Sequence, residues 1–269
     1  MRPIPIQFSD VVVSLLFVAV AVLAARWERT GEERPITWAA ARAILQLLAV
    51  GYVINAVFGL KHLAATAAFI GVMLAFATQI AARRGAGVPG STRVAATAIS
   101  AGAGAVLMSL VALQIVPAKP QYLIPLAGML VGNSMSSCGI ALREIGRDRT
   151  RAAAELETAL SLGAEPRVAS RDARRRTMRA ALGPLIDSTK AVGIVSLPGA
   201  MTGMILAGVS PLQAVRLQIV VMFMLLAATS LTVLLAVELG TARLFNTRAQ
   251  LVPAAHTSGP ASPTGAGAT

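Results

Sequence analysis

Charge is scarce in this 269-residue sequence. Only 13% of the residues are Asp, Glu, Lys or Arg, against about 25% in a soluble domain. Aromatics amount to 4%. The single cysteine, Cys138, excludes a disulfide framework within the chain and any cysteine-rich metal pattern. None of the three lysines, Lys61, Lys119 and Lys190, follows a glycine, so the phosphate-binding loop G-x4-G-K-[ST] is missing. Neither H-E-x-x-H nor G-x-S-x-G occurs, which removes the zinc-protease and serine-hydrolase patterns.

Apolar residues fill the space. Hydrophobic residues make up 55% of the chain, and they gather in windows near the roughly 20 residues that span a bilayer. Seven windows stand out: 9–25, 41–59, 63–82, 94–116, 122–142, 191–209 and 217–239. Lipid offers unpaired backbone groups no water, so each is expected to be helical. The fold class is therefore an all-α integral membrane protein of about seven transmembrane helices. Residues 1–252 form the polytopic domain, with one long cytoplasmic loop at 143–190. The tail, 253–269, is Ala, Ser, Thr, Gly and Pro, too poor in bulk to pack, and is expected to be disordered.

A net charge of +12 raises the question of nucleic acid, but its distribution answers otherwise. With the N-terminus outside, nineteen of the 24 basic residues lie on the inner side and four on the outer, and Arg42 lies at the inner end of the second span. That is the positive-inside bias, so the C-terminus is inside, the partner surface is a lipid bilayer, and no nucleic-acid role is needed. Arg2 and the apolar run ending at Ala24-Ala25 have the outline of a secretory leader. Asp10 sits where a basic region belongs, however, and Arg26, Arg29 and Arg34 follow, so the first span reads as retained.

Within the spans no Asp, Glu, Lys, Arg or His is central; Asp10 and Glu238 lie near ends. Proton-driven carriers keep ionisable relays there, and enzymes need acid–base pairs. What the spans do hold is a polar run in the fifth, Asn133-Ser134-Met135-Ser136-Ser137-Cys138. At helical spacing Asn133 and Ser137 share one face, Ser134 and Cys138 the next. They either line a translocation path or make interhelical hydrogen bonds. Gly128-x3-Gly132 and Gly199-x3-Gly203 have the spacing of close helix packing. Pro198, beside Gly193, Gly199 and Gly203, should kink or break the sixth span near 197–199, and a broken helix can line a path. Pro198, Gly199, Met201 and Gly203 thus join the candidate path. The methionines read chiefly as flexible core fillers, with thioether ligation of a soft metal as the alternative. Metal ligands are not identified.

The loop 143–190 holds eleven basic and seven acidic residues. A helix over 149–162 places Ala152, Leu156, Ala159 and Leu160 on one face, pairs Arg151 with Glu155, and ends at Gly163. Ser170 is expected to cap a second helix made basic by Arg174, Arg175, Arg176 and Arg179. That basic run reads as retention on the inner side with contact to anionic lipid.

Glu157-x-Ala159-x3-Gly163, followed by Val195-Ser196-Leu197-Pro198, resembles the Glu-Ala-Ala-x3-Gly coupling motif of ABC importer permeases, with Thr158 in place of the first alanine. More extensively, Leu160-Ser161-Leu162-Gly163-Ala164, Pro184-x-Ile186-Asp187-Ser188-Thr189-Lys190, Val195-Ser196-Leu197-Pro198-Gly199-Ala200-Met201-Thr202-Gly203, Pro211-Leu212, Gln218-Ile219 and Gly132-Asn133-Ser134-Met135 resemble the FetB-type iron-export ABC permeases. Where that family usually has Met and Gln around Gly203, this chain has Ala200 and Met204. The resemblance implies a multi-pass permease of the bacterial cytoplasmic membrane. It also implies a separate ABC-type ATP-binding subunit carrying the ATP and Mg, no cofactor in this chain, and export of iron or another metal ion or small solute. Coupling to that ATPase would fall to Leu156, Glu157, Ala159, Leu160 and Gly163. Seven spans make half a path, so a homodimer of the permease is expected. A secondary transporter or channel with a basic regulatory loop is the competing class, and a membrane-embedded scaffold the third.

Overall fold

Backbone that lies in hydrocarbon must satisfy its own hydrogen bonds, and this chain does so almost wholly as helix. The computed structural model describes residues 8–60, 63–151, 153–246 and 250–252. In order the helices are α1 (Phe8–Trp27), α2 (Glu33–Leu60), α3 (Leu63–Arg84), α4 (Ser91–Ala112), α5 (Pro120–Arg151), α6 (Ala153–Ser161), α7 (Pro166–Ala169), α8 (Arg171–Ala191), α9 (Gly199–Leu206) and α10 (Pro211–Ala242). Among the described residues there is no strand, only the isolated bridges Val192–Ser196 and Phe245–Leu251. The tail at 253–269, His62 and Ala152 lie outside the described residues.

Six helices, α1 to α5 and α10, are long and apolar enough to cross a membrane. The seventh window, 191–209, corrects the sequence reading: it is not a continuous helix. Gly193 takes φ +85°, and the Ala191 carbonyl accepts from Val195 and Ser196. Helix resumes only at Gly199, after Pro198, whose ring and missing N–H suit a first turn but not an interior. The eight residues of α9 rise about 12 Å, well short of the roughly 30 Å hydrocarbon layer. The expected break is present, and it is wide enough that no continuous spanning helix forms over this window.

Helix directions follow from cross-contacts. Ser134 of α5 accepts a hydrogen bond from Thr232 of α10 (3.1 Å), and Ile145 of α5 lies against Gly240 of α10. Contact advances along both helices together, so α5 and α10 run parallel. Residues between them must therefore travel back along the bundle. Helix α8 begins that return, packed against both α5 and α10 with Thr177, Ala181 and Leu185 buried. Segment 192–198 and α9, which packs along α10, continue it. Within the stretch 143–190, α5 runs on to Arg151 and α8 packs back against α5 and α10.

Small residues set the packing distances. On α10, Ala214, Gln218, Val221, Leu225, Ala228, Thr232, Ala236 and Gly240 are buried at three- and four-residue steps, forming one continuous face. A Cβ on Gly102 of α4 would come 2.2 Å from Thr232 Oγ1, 2.8 Å from Thr232 N and 2.9 Å from the Ala228 carbonyl. The two backbones touch there. Neither glycine pair singled out in the sequence does this: Gly132, Gly199 and Gly203 have open space, and Gly128 meets only the end of Met73. Gly102→Ala should therefore lower stability by about 2 kcal/mol through overpacking, about 4–8 °C in Tm. Gly104→Ala, on the same helix with nothing within 4 Å, should leave Tm unchanged in detergent melts. Equal melting of the two variants would refute the close α4–α10 contact.

Candidate functional site

Nine residues are too few for a helix to hold itself in water, so α6 depends on what it touches. It packs on α5 and α7. Leu156 is buried, Ala159 and Leu160 are half-buried, and Glu157 is exposed. Its hydroxyls are satisfied locally: Thr158 Oγ1 donates to the Ala154 carbonyl (2.7 Å) and Ser161 Oγ to that of Thr158 (2.8 Å). The helix stops at Gly163, φ +87°. Gly163 N–H donates to the Leu160 carbonyl and Ala164 N–H to that of Ala159 (both 3.0 Å). This pair of bonds is the Schellman ending, which needs a left-handed residue at Gly163. All five expected coupling residues, Leu156, Glu157, Ala159, Leu160 and Gly163, thus lie on one short, abruptly ended element.

Beside this element lies a cavity of about 800 Å³. Glu157, Leu160, Ser161 and the segment from Gly163 to Pro166 line one side, and Asn246, Gln250 and Leu251 the other. The second wall is a C-terminal hairpin, in which Asn246 N–H donates to the Gln250 carbonyl (2.9 Å) and Val252 N–H to that of Leu244 (2.8 Å). Arg149 fastens it. Its Nε and Nη2 donate to the Val252 carbonyl (3.2 and 2.7 Å) and Nη1 to that of Gly87 (2.8 Å). One guanidinium fork therefore ties α5, the α3–α4 turn and the hairpin together, 7% exposed. Sequence reading missed it, because Arg149 stands in a basic run where every arginine reads as an orientation signal.

A second fastening joins the loop to the end of α10. Glu238 accepts from Arg167 (3.1 Å) and from Arg174. Burial, and next the charge of Arg167, push the Arg174 guanidinium below its ordinary pKa. Ser170 does not cap α8 as expected. Its backbone is close to helical (φ −88°, ψ 3°), so its hydroxyl turns back to the Pro166 carbonyl (2.7 Å), the usual alternative for serine within a helical path.

The candidate path residues fall into two sets on different elements. Ser134, Ser137 and Cys138 are buried, with Ser134 held by Thr232. Asn133 is half-buried and donates Nδ2 to its own helix at Met129 (2.9 Å). Pro198, Gly199, Met201 and Gly203 lie on α9 or its cap, against α10. Thr202 N–H and Oγ1 both return to the Pro198 carbonyl. Among the described residues no three of His, Cys, Asp and Glu gather as a metal site.

The model of the uncharacterised protein family UPF0014 matches residues 8–245. The chain is 41% identical over 222 residues to the "UPF0014 membrane protein STAR2" of rice, covering 82% of this chain and 78% of the relative. To the "Probable iron export permease protein FetB" of Escherichia coli it is 36% identical over 244 residues, 91% and 94% of the two chains. "Protein ALUMINUM SENSITIVE 3" of Arabidopsis thaliana is 37% identical over 219 residues, 81% and 80% of the two. No solved structure matches. A multi-pass helical bundle, matched along most of its length by these relatives, belongs to the UPF0014 family of membrane proteins.

Proposed function

We propose that this chain is the membrane-spanning subunit of an ABC transporter, exporting iron or another metal ion or small solute with ATP hydrolysed on a separate subunit. The observation that carries the reading is α6: a helix too short to stand alone, ended rigidly at Gly163, with Glu157 exposed and a roughly 800 Å³ cavity at its flank. An ATPase cleft closing on such an element would pass its motion through α7 and α8 toward the broken return leg. The name of the E. coli relative, iron export permease, supports the cargo and direction. The rice and Arabidopsis relatives keep a wider range of solutes in view.

In this reading the positive-inside bias puts α6, Arg149 and the hairpin in the cytoplasm and the start of α1 outside. The return through α8, 192–198 and α9 makes the seventh crossing in the bacterial cytoplasmic membrane. Two copies of the chain join two ATPase subunits, since alternating access needs two halves about one path. Each copy contributes Asn133, backed by Ser134, Ser137 and Cys138, and the segment holding Pro198, Gly199, Met201 and Gly203. The cargo meets amide, hydroxyl, thioether and freed backbone groups rather than fixed charge.

Gly163→Val forces a β-branched residue into φ +87°, at about 1–2 kcal/mol. It should cut substrate-stimulated ATPase activity at least tenfold while membrane insertion stays normal. Cysteines at positions 157, 160 and 162 should cross-link to the ATPase in native membranes; links only to lipid or to the permease would sink the coupling role. Asn133→Leu and Met201→Leu should alter the dependence of ATPase activity on cargo and spare basal activity and assembly. Transport unaffected by both would mean that neither residue lines the path. Transport that survives ATP depletion but collapses with the proton gradient would favour a secondary carrier.

A further inference from the structure

The arginines of α7 and α8 form more than an orientation signal. Arg167, Arg171, Arg174 and Arg175, with Val168 and Met178, line an open cleft of about 420 Å³. Four arginine side chains line one volume, and none of its lining residues is acidic. Arg167 and Arg174 also wall a neighbouring 270 Å³ cavity that contains Glu238, and each donates to its carboxylate, so the cleft arginines not held by Glu238 are Arg171 and Arg175. Asp172 approaches Arg175 only at 4.0 Å and is 82% exposed, a pairing worth little in water. Arg171 has no partner among the described residues. Four cations stand against two carboxylates, one shared by Arg167 and Arg174 and one in solvent.

We infer that this cleft binds the phosphate of an anionic phospholipid headgroup. Arginine forks match phosphate oxygens two at a time, and 420 Å³ accommodates a headgroup. Placement favours lipid over a soluble ligand. Glu238, which anchors the arginine wall, is four residues from the end of α10, about 6 Å along its axis. Just beyond Met178, α8 turns its residues Ala181 and Leu185 into the bundle. The cleft therefore lies where the apolar bundle gives way to charge, and Val168 and Met178 give it the apolar floor that a glycerol backbone would meet. A lipid phosphate there would hold α8 against α10 from the outside, as Glu238 holds it from within. The inference needs only that the chain lies in a membrane, and so stands apart from the ABC reading.

The test uses the full chain in nanodiscs of POPC with or without POPG, read by native mass spectrometry for bound lipid and by thermal unfolding. Wild type should retain POPG and melt higher in its presence. Each arginine near an anionic surface contributes about 1 kcal/mol. Arg171→Gln should therefore weaken POPG retention about fivefold, and the Arg171→Gln, Arg175→Gln pair about 25-fold, with unchanged melting in POPC. Both side chains are exposed and away from the core; should the pair misfold, the single variant carries the test. Arg179→Gln, on the same helix but outside the cleft, should weaken retention by less than Arg171→Gln does. Wild-type POPG retention by the double variant, or an equal loss in Arg179→Gln, overturns the site. Equal arginine-dependent protection by inorganic phosphate in POPC overturns the lipid assignment, and loss of partner-protein binding with POPG retention intact would make the face a protein-docking surface.

Discussion

The contact of α10 with α4 and α5 governs the rest of the molecule. Nothing charged or bulky makes it; Gly102, Ala228 and Thr232 do, by letting backbones meet. Between helices in lipid there is no hydrophobic gain from association, so close van der Waals packing has to supply the cohesion. Ala95, Ala98, Ala141, Ala228 and Ala236 are all fully buried, which continues the same device along the bundle. The Ser134–Thr232 bond adds about 0.6 kcal/mol, chiefly fixing register. Because the register is parallel, the 59 residues between α5 and α10 are committed to a return journey. The basic loop, the break at 192–198 and α9 are all parts of that journey.

Most helices could be read directly because the lipid solvent leaves a long apolar window no other conformation. The fifth and last windows fall inside α5 and α10. The window at 191–209 misled for a physical reason. Composition reports solubility in lipid, whereas continuity depends on φ at Gly193 and on the proline at 198, which act locally. The glycine pairs misled similarly: spacing places two glycines on one face but says nothing of which face meets a neighbour. Gly102 was invisible for the complementary reason, as a lone small residue among many alanines.

At the end of the bundle that carries α6 the balance differs. The α6 element was legible down to the left-handed glycine, since helix periodicity and a terminal glycine are local signals. Arg149 and Glu238 were not, because their partners lie 62 or more residues away, beyond any pattern of spacing. What local sequence cannot carry here is the reason that the loop is not loose. Two charged forks, one on backbone carbonyls and one on a carboxylate, hold it to the helices that cross the bilayer. The intramembrane polar residues divide differently: Asn133 is satisfied one turn back on its own helix, while its neighbour Ser134 accepts across the bundle from Thr232.

The parallel course of α5 and α10 has a consequence for how such a protein could be duplicated. Contacts make α3, α5 and α10 parallel and α4 their reverse; with α1 and α2 alternating as in the proposed topology, the first helix begins at one end of the bundle and the last finishes at the other. Two copies joined head to tail would have to carry the linker across the bilayer. A gene fusion of this chain with itself would therefore require an extra spanning helix, or would invert its second half. Two separate polypeptides avoid that topological conflict.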